Sequence, residues 1–296
     1  MDDDGLAEVA LRSTSASWLL DSGRHTADHA NMCCFSGASG PINVNGTKIF
    51  ARATAGRQLL VYAMHLDAPE DMAMILPVPV PVGAGEDTLR FIDLSRWPGF
   101  FAALDRCFPE LVALAPQARS PAPTSTLTVH TVGAFEASYV PTIADFVRLD
   151  PRFRLADRVW QALPMYHDWG FAVFRLRAGA QEVHPMAFEF PTRVPGALYF
   201  PTVHVHDGRV HRNARFAHTL YFQGPQGVEP MSEVLGRPLP AWRDKWHGGM
   251  GTLPTRELLG VPFGPDLGEI VDLGVPLIRT HRTGYEPNGD VWLAGA

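Results

Sequence analysis

Lysine is nearly missing from this chain: Lys48 and Lys245 are the only two in 296 residues, although arginine is plentiful. A Schiff-base or general-base lysine is therefore not expected. Cysteine is scarce as well. Cys33, Cys34 and Cys107 form an odd set, and vicinal cysteines make a poor disulfide staple, so a reducing cytoplasm is the expected location. No apolar run approaches the ~20 residues that cross a bilayer. The segment Ser17-Trp18-Leu19-Leu20 is too short for a signal-peptide core, and Asp2, Asp3 and Asp4 stand where such a signal carries positive charge. No membrane partner is expected. A formal charge of −6 offers no basic surface to nucleic acid, which is also not expected as a partner. The sequence contains no G-x-S-x-G, Walker A loop, C-x-x-C or H-E-x-x-H, so common hydrolase, NTPase and zinc-protease readings lose their usual support. Gly83-Ala84-Gly85 lacks a third glycine, and no nucleotide cofactor is indicated.

What remains is apolar and aromatic. Hydrophobic residues make up 46% of the chain and charged ones 19%, and 17 Phe and 7 Trp supply bulky core material. That balance packs a globule and argues against disorder. Residues 1–31 read as a polar leader. A first hairpin is expected over Lys48–Thr54 and Gln58–Leu66 around Gly56, because Leu60, Tyr62, Met64 and Leu66 alternate with Val61, Ala63 and His65. Met74–Val80 carries two prolines and reads as an edge or irregular strand. Further strands are expected near Leu89–Leu94, Phe135–Val140, Gly170–Arg177, Gln181–Phe190 and Ala197–His206. Short helices are expected over Trp97–Cys107, Thr142–Val147 and Ala156–Leu163, and a late hairpin turn at Asn288-Gly289. Residues 114–125, rich in Pro, Ala and Ser, form the best internal linker. They separate a β-rich lobe over 32–113 from a second over 126–296, with one continuous domain over 32–296 as the alternative. The fold class is α+β, mainly antiparallel β-sheet with a few short helices.

The sharpest local feature is YFPTVHVHDGRVHRNARFAHTLYF, residues 199–222. Asp207-Gly208 between alternating β-formers is a two-residue hairpin signal. Such a turn sets His204 opposite His211 and sends His204, His206 and His211 to one face, with directly opposed Cβ atoms ~5 Å apart. Three imidazoles would then reach one ion, with His218 completing the shell if the return strand bends near Asn213. The strand 181–190 should pair with 197–206, placing Glu189 or His184 on the same face. Imidazoles with a carboxylate suit zinc, iron or copper, and an open position would activate water or dioxygen. The leading expectation is thus a metal-binding protein, with a metalloenzyme acting on a small molecule or peptide as its catalytic form and Glu189 as a catalytic candidate. Against it stands a solvated His pair with Arg209 repelling a cation. The competing reading is a metal-free binding or scaffold module that recognises its partner through an aromatic sheet face.

Two further sets complete the candidates. His25, His29 and Cys33 follow helical spacing and, with Cys34, form a weaker metal-ligand set. Cys33 alone is a candidate nucleophile, provided a neighbouring base or positive field activates it. The stretches MCCFSG (32–37), AMILPVPVP (73–81), VGAFEASYVPTIADFVRLDPRF (132–153) and FPTVHVHDGRVH (200–211) resemble a bacterial family of uncharacterised proteins. The resemblance spans roughly residues 32–225. It implies one shared architecture and brings no activity with it.

Overall fold

The computed structural model describes residues 34–36, 40, 42–108, 136–205, 207–224, 228–230, 233–235, 237–238 and 270–295. The strands are β1 (Cys34–Ser36), β2 (Asn43–Thr54), β3 (Arg57–Ala68), β4 (Met72–Val78), β5 (Arg90–Ile92), β6 (Glu136–Val140), β7 (Gly170–Leu176) and β8 (Gly179–Pro191). They continue as β9 (Ala197–Phe200), β10 (Asn213–Gln223), β11 (Val228–Pro230), β12 (Glu233–Val234), β13 (Arg237–Pro238), β14 (Ile278–Pro287) and β15 (Val291–Gly295). Two short α-helices, α1 (Phe100–Arg106) and α2 (Asp157–Ala162), and several 3-10 turns fill the connections. The structure is β-rich and mainly antiparallel, as expected. Helices this short make the α+β label a loose fit.

The β2–β3 hairpin forms because Ala55 and Gly56 both take positive φ, 36° and 80°, in a two-residue reversal between Thr54 and Arg57. Turns of this kind match the right-handed twist of the strands they join. The hairpin is the centre of a six-stranded sheet in the order β14-β10-β2-β3-β8-β5, in which only β10 and β2 run parallel. A four-stranded sheet, β1-β4-β7-β6, packs against it. Phe174 of β7 meets Phe91 and Phe188 of the larger sheet at ring separations of 5.6 and 6.0 Å. Such pairs add roughly 0.5–1.5 kcal/mol each beyond burial. Both sheets draw strands from residues 32–113 and from 126–296.

Each sheet is covered on its other face. Helix α1 lays Phe100 and Phe101 over Phe50 and Tyr221 of the larger sheet, and a 3-10 turn over Ile143–Arg148 with α2 sets Phe146 and Trp160 against Phe171 of the smaller. Of the two expected prolines only Pro77 lies in β4, and it does not put the strand at an edge: β4 lies between β1 and β7 and is buried throughout. Among the described residues β1 pairs no further along β4 than Ile75, so Pro77 meets no ladder partner on that side. The linker expected at 114–125 and the leader at 1–31 lie outside the described residues. No helix among the described residues is long and apolar enough to cross a membrane.

Candidate functional site

The expected histidine hairpin does not form. Strand β9 ends at Phe200 and pairs with β15, while β10 starts at Asn213 and pairs with β14 and β2. Between them the chain runs without a ladder, bending at Asp207–Arg209 with Gly208 at φ 69°. The remote residue Asn288 takes the backbone groups that a hairpin would have paired. Its Oδ1 accepts from the His204 N–H at 2.8 Å, and its Nδ2 donates to the carbonyls of His204 and His211 at 2.9 and 3.1 Å. His204 and His211 are therefore neighbours through their backbones, as the register argument required, but their side chains diverge.

His204 is 2% exposed and lies on Phe216, rings 4.3 Å apart. His211 turns outward, its Nε2 2.7 Å from Asp207 Oδ2. His218 is buried beneath, its ring 5.4 Å from that of His204, and His206 lies outside the described residues. Glu189 is far from this group in the ladder: β8 pairs with β3 and β5, not with β9, and Glu189 holds Arg57 and Arg90 at 3.3 and 3.2 Å. His184 sits on the same strand with Nδ1 against the Pro185 carbonyl. Cys34 is buried in β1, its thiol directed at the Val203 carbonyl. Among the described residues no three His, Cys, Asp or Glu side chains are placed to share a metal ion. His25, His29 and Cys33 lie outside them. Nor does Asn288-Gly289 close a hairpin, because β14 and β15 belong to different sheets. Most aromatic rings of the described strands are core, with Tyr285 of β14 an exposed exception.

The polar residues behind this segment were not foreseen. Asp290 is fully buried and accepts from Tyr166 and Tyr199 hydroxyls at 2.6 and 2.9 Å and from the N–H groups of Thr202 and Val203. Burial pushes its carboxyl up from the usual range, and the four donors oppose that. Arg282, 2% exposed, donates to Thr202 Oγ1, to the Gly289 and Pro287 carbonyls and to Glu286, and its guanidinium covers Phe216. These groups bond to one another and fix the irregular chain at 201–205. Their work is structural.

The described surface carries a different feature at the other layer. Val82 and Val147 are 72% and 70% exposed. They belong to two segments, 81–89 and 143–153, that an Arg148–Glu86 ion pair joins at 2.6 Å. Both segments are held from behind. Arg193 donates from Nε to the Val80 carbonyl at 2.5 Å and pairs with Asp168, anchoring the base of the first. Arg154 donates to the carbonyls of Val147 and Leu149, which fixes the second. Beside Val147 a groove of about 330 Å³ runs between the outer face of β6 and β7 and residues 148–153. Glu136, Ser138, Val173 and Arg175 share that sheet face, since Glu136 lies opposite Arg175 and Ser138 opposite Val173. Phe153 forms part of the wall, with the Arg152 and Arg175 guanidinium groups 5.2 and 5.5 Å from its ring centre. Arg152 also grips Asp150, holding its carboxyl down to about 2. This part of the described surface thus sets exposed aliphatics beside an aromatic ring flanked by arginines.

No family model matches the sequence, and no curated protein matches it. Among solved structures the chain is similar to that of baculovirus P35, with 10% identity, a TM-score of 0.48 and coverage of 89% of this chain and 99% of the other. A mutated baculovirus P35 after caspase cleavage matches with 11% identity, a TM-score of 0.43 and coverage of 84% and 99%. The caspase-8/P35 complex matches with 10% identity, a TM-score of 0.40 and coverage of 85% and 96%. The metal-binding reading is corrected by the geometry: the rings of His204 and His218 are buried, that of His211 turns outward to Asp207, and no group of three ligands forms among the described residues.

Proposed function

We propose that this protein acts by binding another protein through the face built from residues 81–89 and 143–153. The observation that carries the reading is the display of Val82 and Val147, both more than two-thirds exposed, on segments pinned by Arg193 and Arg154. Large aliphatics held in water by a rigid frame cost solvation that a partner recovers, and a frame fixed in advance reduces the ordering cost of association. The groove beside them supplies Phe153 and its arginines, residue types that enrich protein interfaces. The buried free thiols of Cys34 and Cys107 suit a reducing, cytoplasmic setting.

Affinity capture with three forms of the chain tests this. The Val82→Asp/Val147→Asp double variant is expected to lose a specific partner by roughly 10-fold or more while keeping the unfolding curve of the parent. A Glu182→Lys variant, altered on exposed β8, should retain it. If the double variant captures the same proteins to the same extent, the face is not the binding site.

A further inference from the structure

A second surface stands out by charge. Although the chain carries −6 overall, Arg158, Arg209, Arg212 and Arg215 are all exposed and form no ion pair among the described residues. Arg57, Arg90, Arg148, Arg152 and Arg175 each hold a carboxylate, whereas exposed Arg96, Arg106 and Arg177, like these four, form no ion pair among the described residues. What sets the four apart is that the fold brings them onto one stretch of surface. Arg158 of α2 donates from Nε to the Gly208 carbonyl at 3.1 Å, next to Arg209. Arg209 to Arg215 is six residues, a span of at most about 20 Å even when fully extended. The backbone there is fixed by Asn288, whose N–H donates to the Arg212 carbonyl and whose Nδ2 donates to the His211 carbonyl. The carboxylate within the segment, Asp207, is engaged by His211 and by the Arg209 N–H. Tyr285, 65% exposed, lies opposite Arg215 in the ladder and adds an aromatic ring to the rim.

We infer that this rim of four arginines docks a carboxylate-rich segment of a protein partner. Guanidinium groups bind carboxylates in paired, planar geometry, and four drawn from α2, the 207–212 segment and β10 match a run of Asp or Glu better than a single ion. An acidic molecule that gathers arginines with no carboxylate partner among the described residues offers local attraction to an acidic chain that its net charge would otherwise repel. This surface uses none of the residues of the 81–89 and 143–153 face, and the inference does not rest on that face.

Fluorescence anisotropy with a labelled oligoglutamate peptide and the full-length protein is the direct test. Binding should be saturable, should weaken as salt is raised, and should fall by roughly 10-fold in an Arg209→Glu/Arg212→Glu variant. An Arg96→Glu variant, altered at another exposed arginine, should bind as the parent does. Undetectable binding, or equal loss in both variants, overturns the inference. So does a single-stranded DNA oligonucleotide that binds as tightly as the peptide, because the rim would then be reading charge alone. The Val82→Asp/Val147→Asp variant should bind the peptide normally, which keeps failure here distinct from failure of the partner-binding face.

Discussion

His218 shows how much a single buried side chain can set. Among the described residues neither ring nitrogen has a hydrogen-bond partner, and burial, with the Arg282 charge acting in the same sense, pulls its pKa from 6.5 down to about 3. A histidine that must stay neutral when folded but can charge when unfolded costs stability as pH falls through 6.5, and the loss continues until the folded group titrates near 3. At pH 5 the cost is about 2 kcal/mol, from 1.36 kcal/mol per unit. Asp290 works with the opposite sign, since a carboxyl pushed up by burial is eased by protonation. Urea unfolding of the parent and a His218→Phe variant should therefore show the parent losing about 2 kcal/mol more than the variant between pH 7 and pH 5. An equal loss in both would mean that His218 does not carry the acid sensitivity. From sequence this residue looked like a possible ligand; its burial, and the added charge of Arg282 sixty-four positions away, are set by the tertiary fold, and no local pattern reveals them.

At the scale of elements, local rules succeeded where local chemistry decides. The β2–β3 hairpin follows from alternation and a glycine turn, and α2 and the 143–148 turn lie where they were expected. They failed at residues 199–222, where Asp207-Gly208 carries the same turn signal but Asn288 and Asp290 hold the backbone at 202–205 and 211–212. A hairpin signal describes a preference of about a kilocalorie, and several buried hydrogen bonds outweigh it. The candidate face was equally hidden: the segments that carry Val82 and Val147 are joined only where Arg148 reaches Glu86 across the fold. The β7 entry gives a sharper case. A Cβ at Gly170 would lie 2.6 Å from Tyr139 Cε2 and 2.8 Å from its Cζ, with the hydroxyl also in contact. Gly170→Ala should cost about 1–3 kcal/mol of stability by urea titration. Adding Tyr139→Ala should recover part of it, whereas adding Tyr139→Phe should not, because the ring carbons remain.

The whole molecule is bound together by contacts distant in sequence. The six-stranded sheet joins residues 43–68, 90–92, 179–191, 213–223 and 278–287, and the smaller sheet joins 34–36 and 72–78 with 136–140 and 170–176. Composition and periodicity revealed a β-rich globule because they report local burial. They could not reveal strand order, which depends on which distant edges meet.

Strand β15 has a consequence in time. Trp292 stacks on Tyr199 and Trp169, and β15 fills the place between β9 and β11, while Asp290 just before it satisfies two tyrosines. These groups follow β9 and β10 far along the chain. Until β14 and β15 have been made, β10 and β9 lack their antiparallel neighbours, and the growing chain carries open edges that invite aggregation. Removing residues 288–296 should convert soluble protein into inclusion bodies, read by the soluble fraction after expression, and co-expressed chaperones should raise the yield of the parent.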